Sequence, residues 1–284
     1  MNAFELALRK QNTGRPPVWF MRQAGRYHSH YQSLKASHSF MDLCKDPKLA
    51  CEVTMGPIRD FGFDAAILFS DLLFPLEAMG LGLTYDPGPK LGWNLKTRAD
   101  LAKLRGGAKA ASSMEFQAEA LRLLKQKLDP SKGLIGFVGG PLTLYCYAVD
   151  GGHAGGLEDS KAGLEDGRYA GFLEKLHDLL LAEMSLQVSG GADAIAIFDT
   201  SAGEFSLEQY AKHGVSALKR VFDDFKRRHP STPIIYYSRG TGPEHWELLK
   251  GSPISCLGVD WRHDLAKTLK EWTPHFAIQG NIDP

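Results

Sequence analysis

Seven near-continuous apolar runs, each followed by a helical or turn-rich stretch, limit the fold of this chain more than any other feature. They fall at residues 18–21, 65–71, 133–141, 193–199, 233–238, 256–261 and 275–281. Unbroken apolarity means that both faces of the strands are buried, and alternation of strand with helix demands a parallel sheet. Polar residues gather where the runs end: Arg22, Asp71, Ser201, Arg239, Asp260 and Asp283. Closed α/β barrels place their ligand contacts at the carboxyl ends of the strands, so the pattern predicts an α/β fold of the (β/α)8 TIM type rather than an open doubly wound sheet. The count is one strand short. The expectation is a single barrel domain over residues 1–284, truncated before its eighth strand.

Local signals place the helices. Asp46 as N-cap and Pro47 at the first helical position start a helix that runs to Phe61 and stops at Gly62, and Gly56 with Pro57 predicts a kink in it. Residues 72–95, rich in Gly and Pro, read as an insertion or small hairpin. Ser112 and Glu115 form a capping box for a helix to Leu128. Pro141 starts a helix carrying Tyr145 and Tyr147, and the Gly-rich stretch 150–167 reads as a surface loop or a lid. Further helices are expected over 169–188, 207–228 and 265–272.

Charge and cysteine usage exclude several function classes. Acidic and basic residues balance at 33 each, which implies neither nucleic acid nor an anionic membrane as partner. The amino-terminal stretch lacks an apolar signal core and no run approaches membrane-spanning length, so a soluble cytoplasmic protein is expected. Cys44, Cys51, Cys146 and Cys256 are scattered and predict reduced thiols, with Cys44 and Cys51 packed in the core. No His-x-Cys or Cys-x-x-Cys occurs, so no metal is predicted, and the alternating His28 and His30 read as surface residues. The glycine-rich turns match neither dinucleotide nor Walker patterns.

Chemistry-bearing residues cluster at the run ends. Arg22 and Arg26 flank Gly25 just after the first run; two guanidiniums there suit carboxylates or phosphates, although a solvated turn also fits. Asp71 closes ILFSD, where its carboxylate would face an N–H-rich or cationic ligand, or else cap a helix. Ser201 and Glu204 have the spacing of a helix cap and its partner, and without a G-x-S-x-G elbow they do not suggest a serine hydrolase. Tyr147 taken alone reads as core packing. For Asp260, Arg262 and His263, a structural ion pair and a catalytic role are both open.

Together, FMRQAGRY, ILFSD, GGPLTLYCY, FDTSAG, LGVDW and QGNIDP occur in the order and approximate spacing of uroporphyrinogen decarboxylases, and the chain resembles that family over essentially its whole length. The resemblance implies a homodimeric (β/α)8 barrel that removes the four acetate carboxyl groups of uroporphyrinogen III, giving coproporphyrinogen III without metal or organic cofactor. Carried over by motif, Arg22, Gln23, Ala24, Gly25 and Arg26 match the substrate-binding arginine loop, Phe69 the pocket phenylalanine, Asp71 the central aspartate, and Tyr147 and Ser201 polar contacts. The chemistry agrees: arginines suit a substrate with eight carboxylates, and four pyrrole N–H groups can converge on an Asp71 carboxylate ionised in the complex. Protonating a pyrrole carbon makes the ring its own electron sink. Arginine is a poor proton donor, which leaves the donor open. His28-Ser29-His30 replaces a Leu-Pro-Glu-like run, and the family's last strand and a late histidine lie beyond QGNIDP. Two other readings are a zinc-dependent cobalamin or coenzyme M methyltransferase of the same superfamily, and an inactive tetrapyrrole-binding fragment.

Overall fold

The computed structural model describes residues 1–69 and 71–283. Ser70 and Pro284, which belong to the ILFSD and QGNIDP motifs, lie outside the described residues. Among the described residues six parallel strands form one sheet: β1 (Ala65–Ile67), β4 (Gly133–Gly139), β5 (Ala194–Asp199), β6 (Ile234–Ser238), β7 (Cys256–Gly258) and β8 (Ala277–Gln279), side by side in that order. Residues 72–95 do contain a hairpin, of β2 (Leu83–Tyr85) against β3 (Pro89–Leu91).

The run at 18–21 is not a seventh strand. Pro16 and Pro17 bring no N–H donors to a ladder, and the amides that follow are taken by side chains. Val18 N donates to Asp64 Oδ2 and Phe20 N to Gln23 Oε1, leaving a single sheet-like bond from Asp64 N to Val18 O (2.8 Å). The segment therefore lies extended beside the β1 edge with Val18, Phe20 and Met21 exposed.

Helices α1 (Ala3–Leu8), α2 (Ser29–Lys35), α3 (Phe40–Lys45), α4 (Pro47–Phe61), α5 (Phe74–Ala78), α6 (Glu115–Lys127), α7 (Pro141–Asp150), α8 (Glu158–Gly163) and α9 (Arg168–Ser189) precede β5. Helix α10 (Leu207–Gln209) runs through a π-helical segment, Tyr210–Val215, into α11 (Ser216–Arg228). Last come α12 (Pro243–Glu247) and α13 (Leu265–Trp272). None of them is long and apolar enough to cross a membrane. The Asp46 side chain caps α4 through the Lys48 and Leu49 amides, and Gly62 ends it at φ 68°, a conformation that costs a glycine nothing. Instead of breaking α4, Gly56 leaves room for the His30 ring, whose Nδ1 would lie 2.3 Å from a Cβ there.

The Ser112–Glu115 box does not form. A 3-10 turn over Ala108–Met114 runs straight into α6, so its carbonyls serve the first amides of α6, while Ser112 Oγ donates back to Lys109 O.

Two apolar layers flank the sheet. The larger packs its outer face against the helices. The inner face carries every second strand residue, including Ile67, Ile135, Phe198 and Ile235, and is closed from below by Phe4 and Leu8 of α1. The α1 region also reaches the segments that enter β4, β6 and β8, through Asn2 to Lys132 O, Arg9 to Ser231 O and Lys10 to Thr273 O. One short helix whose flanking residues touch strand entries so far apart in the sheet order means that the sheet curls around it. The opposite, carboxyl end of the strands is the open mouth.

Loops at that mouth approach closely. A Cβ on Gly203 would meet Gly240 Cα at 2.4 Å and the Arg239 carbonyl at 2.6 Å, all backbone atoms that cannot swing away. Gly203→Ala is expected to cost about 3 kcal/mol by overpacking, read as a lower urea midpoint with unchanged m-value. Gly14→Ala, with nothing within 4 Å, is the neutral control; equal midpoints for both would show that the loops part freely.

Candidate active site

Asp71 follows β1 at the mouth. Leu73 N donates to its Oδ1 (2.9 Å). Burial pushes its carboxyl above the usual carboxylate range, against the opposing influence of the Tyr85 hydroxyl, the Leu73 amide and the Arg22 charge. The Tyr85 hydroxyl lies beside it without a well-formed hydrogen bond among the described residues. Tyr147, half-buried on α7, senses both Asp71 and Arg22. Asp71 and Tyr147 meet because the parallel sheet delivers the ends of β1 and β4 to one rim.

Gln23 and Ala24 turn inward. Gln23 is buried, its Nε2 donating to Ala65 O (3.1 Å) while its carbonyl accepts from the Tyr27 hydroxyl (2.5 Å). Ala24 packs against the Tyr31, Leu43 and Val53 cluster. They thus pin the loop to β1 and leave the Arg22 and Arg26 side chains exposed. The two arginines then part: the Arg22 charge acts on Asp71, Tyr147 and Tyr237, whereas the Arg26 charge acts on Tyr31. Phe69 is half-buried between the Tyr31 and Phe40 rings (5.5 and 5.8 Å).

Ser201 stands at the end of β5 but is fully buried, and its hydroxyl donates to His153 O (2.8 Å) instead of capping a helix. Ser206 and Gln209 make the capping box there. Thr200, its half-exposed neighbour, is the hydroxyl residue less deeply placed at that strand end.

His28 and His30 are not free surface residues either. His28 is buried, Nε2 to Asp60 Oδ2 at 2.7 Å, and His30 pairs with Glu52 at 3.0 Å. As N-cap of α2 in extended conformation, His28 turns its ring down onto α4. Asp260 and Arg262 form the ion pair that the sequence left open as one of two roles.

Sequence reasoning passed over Asp199, the buried carboxylate of FDTSAG. Its Oδ1 accepts from Thr143 N (3.0 Å) and Thr143 Oγ1 (2.8 Å), capping α7 from another chain segment, and Thr143 Oγ1 accepts from Ser201 N. Burial raises the Asp199 carboxyl to about 6. It holds the helix that presents Tyr147. His153 and Arg239 were passed over as ligand contacts too: the His153 ring stacks on Tyr147, and Arg239 lies close enough to His153 and Tyr237 to act on both. An aspartate ending an apolar run was the only sequence signal for Asp199, and His153 had none beyond its glycine-rich loop.

All four cysteines are free and buried, and among the described residues no three His, Cys, Asp or Glu side chains gather as a metal-sized cluster. The zinc–thiolate alternative therefore has no ligand set within them.

Comparisons with known proteins bear on the family of this chain. The family model described as Uroporphyrinogen decarboxylase (URO-D) matches residues 1–284. The uroporphyrinogen decarboxylase of Carboxydothermus hydrogenoformans is 35% identical, with 100% of this chain aligned to 81% of that protein. The Myxococcus xanthus enzyme is 38% identical over 98% of this chain and 80% of its own. Among solved structures, a methyltransferase from Methanosarcina mazei superposes with a TM-score of 0.83 over 99% of this chain and 83% of that one; at 16% identity it shares the fold alone. With its motifs at one rim, a family model matched end to end and relatives above one-third identity, this chain belongs to the uroporphyrinogen decarboxylase family.

Proposed function

We propose that the chain is a carboxy-lyase that removes the four acetate carboxyl groups of uroporphyrinogen III. The observation that carries this reading is the half-buried Asp71 carboxylate at the mouth, within reach of the Arg22 charge and close enough to act on Tyr147. Arg22 would bind side-chain carboxylates of the macrocycle. Asp71 would accept the pyrrole N–H groups and stabilise the ring cation that forms when a pyrrole carbon takes a proton. Phe137, Phe198 and Tyr237 line the inner layer below and offer an apolar floor. No external electron sink is needed, because the protonated pyrrole takes up the electron pair that decarboxylation leaves. The exposed Phe20, Met21, Tyr27 and Phe61 support a second copy as partner, and four unpaired thiols suit a reducing cytoplasm.

The test is anaerobic incubation with uroporphyrinogen III, then oxidation and separation of the porphyrins by carboxyl number. Stepwise loss from eight to four carboxylates is expected; unchanged substrate with folded protein would sink the reading. The two loop arginines should separate as well. Arg22→Ala is expected to raise KM by about tenfold or more, the loss of one charge-assisted contact, and Arg26→Ala by less, since Arg26 lies by Tyr31. Equal effects would remove the distinction drawn between them.

A further inference from the structure

Each acetate lost consumes one proton, since R–CH2–COO⁻ plus H⁺ becomes R–CH3 plus CO2, so a site that acts four times on one molecule must be recharged from solvent. Arginine cannot do this at neutral pH, and the residues carried over from the family's motifs include no titrating acid suited to it. The Tyr147 hydroxyl and His153 Nδ1 lie 2.9 Å apart, with the rings stacked at 5.6 Å and 27°. His153 is half-buried on the loop between α7 and α8 and is tethered twice. Its carbonyl accepts from Ser201 Oγ (2.8 Å), and Gly155 N, two residues on, donates to Glu204 Oε2 (3.3 Å). The buried Ser201 thus serves to fix His153 over Tyr147.

We propose that His153 is a proton-relay residue that acts through the Tyr147 hydroxyl to resupply the proton each decarboxylation consumes. This rests on the functional reading above. In the step, the Tyr147 O–H bond breaks as a C–H bond forms at the pyrrole carbon next to the one bearing the acetate. At the same time the His153 Nδ1–H proton passes to the tyrosine oxygen, so no tyrosinate accumulates. Loss of CO2 returns its electron pair to the ring and the exocyclic carbon. Protonation of that carbon gives the methyl group and the ring carbon releases its proton, leaving one proton consumed. His153, left neutral, recovers its proton from water at the rim.

The charged and titratable groups facing it are Arg239 after β6, Arg22 of the arginine loop, Glu204 after β5 and Tyr147 itself. Burial first, then the two arginines, lowers the imidazole below its ordinary range, while Glu204 opposes them. The imidazolium is then a strong acid populated on the acid side of neutrality, and kcat should rise as pH falls through that range.

His153→Asn keeps a hydrogen-bonding amide near Tyr147 but cannot titrate. With uroporphyrinogen III as substrate, kcat is expected to fall about tenfold to a hundredfold, with KM within about twofold and the acid-side limb of the pH profile gone. Added imidazole should restore part of the rate. A second measurement needs no turnover: in the wild-type chain the 15N NMR titration of the His153 ring should shift on Tyr147→Phe. Unchanged kcat and pH limb in His153→Asn, a change in KM alone, or a His153 titration indifferent to Tyr147→Phe would each overturn the relay. A wild-type chain that leaves uroporphyrinogen III intact overturns the relay together with the functional reading. An active wild type with an unaltered His153→Asn variant overturns the relay alone.

Discussion

Asp71→Asn lowers kcat by about a hundredfold or more, the usual loss when one preorganised electrostatic group is removed, while KM changes far less. The substitution keeps the shape and leaves an oxygen for the Leu73 amide, which now holds Asp71 Oδ1 at 2.9 Å. It removes the charge that the cationic pyrrole needs. Asp71→Glu, with the charge retained but displaced by a methylene, should keep more activity than Asn. Stability should move the opposite way. Burial raises the Asp71 carboxyl in the free protein, so its contribution is neutral below the ordinary carboxylate pKa and becomes unfavourable as pH rises, because the unfolded carboxylate ionises first. At neutral pH the Asn variant should therefore melt slightly higher. A more stable and nearly inactive protein is the signature of a carboxylate kept for chemistry. Near wild-type turnover in Asp71→Asn, or a lower melting temperature together with lost activity, would reduce Asp71 to a local cap and end the proposed mechanism.

The largest stability gain should come from Glu183→Gln. Glu183 is buried on α9, facing α6. Its Oε1 accepts from Gln117 Nε2 (2.9 Å), Gln117 Oε1 accepts from Gln187 Nε2 (2.8 Å), and Gln187 Nε2 also donates to Phe137 O (2.8 Å). Among the described residues Glu183 Oε2 and Gln187 Oε1 have no partner. These two side chains are one turn apart on α9. A neutral carboxyl brings an Oε2–H donor and the Gln187 oxygen is an acceptor in want of one, while burial raises the Glu183 pKa to about 8.

The sign follows from linkage: native Glu183 keeps its proton while the unfolded glutamate has lost it. Stability is then undiminished below about pH 4.5 and falls as pH rises towards 8. At pH 7 the cost is about 3 kcal/mol, from roughly 1.4 kcal/mol per unit. The Gln amide would supply the N–H without that cost, so the melting temperature at pH 7 should rise by roughly 6 °C or more. The difference between variant and wild type should vanish near pH 4. A difference that stays constant across that range would show that Glu183 does not carry the proton.

Much of the fold was legible because its signals are local. Asp46, Pro47 and Gly62 set the ends of α4 through backbone groups only two to four residues away, and α13 falls on residues 265–272 as its pattern indicates. Six of the seven apolar runs are strands in the parallel sheet, and the motifs at their ends named the family that the comparisons also show. Once the strands are parallel, Asp71 and Tyr147 must share a rim, whereas the Arg22 loop is held against β1 by Gln23.

Residues whose role depends on a distant partner could not be read that way. Whether residues 18–21 join a ladder turns on Asp64 and Gln23 taking their amides. The 3-10 turn replaces the Ser112 cap because of what precedes α6 in space. The His28 and His30 rings find Asp60 and Glu52 some thirty and twenty residues along the chain. Ser201 meets the carbonyl of His153, 48 residues away. The sequence by itself determined which residues form strands and helices and which motifs end them, since periodicity and capping act over a few residues. Only the tertiary structure decided where the strand-end side chains point: Asp199 under α7, Ser201 beneath His153, and His153 on Tyr147. Those directions are set by burial and by hydrogen bonds across 6 to 58 positions of chain.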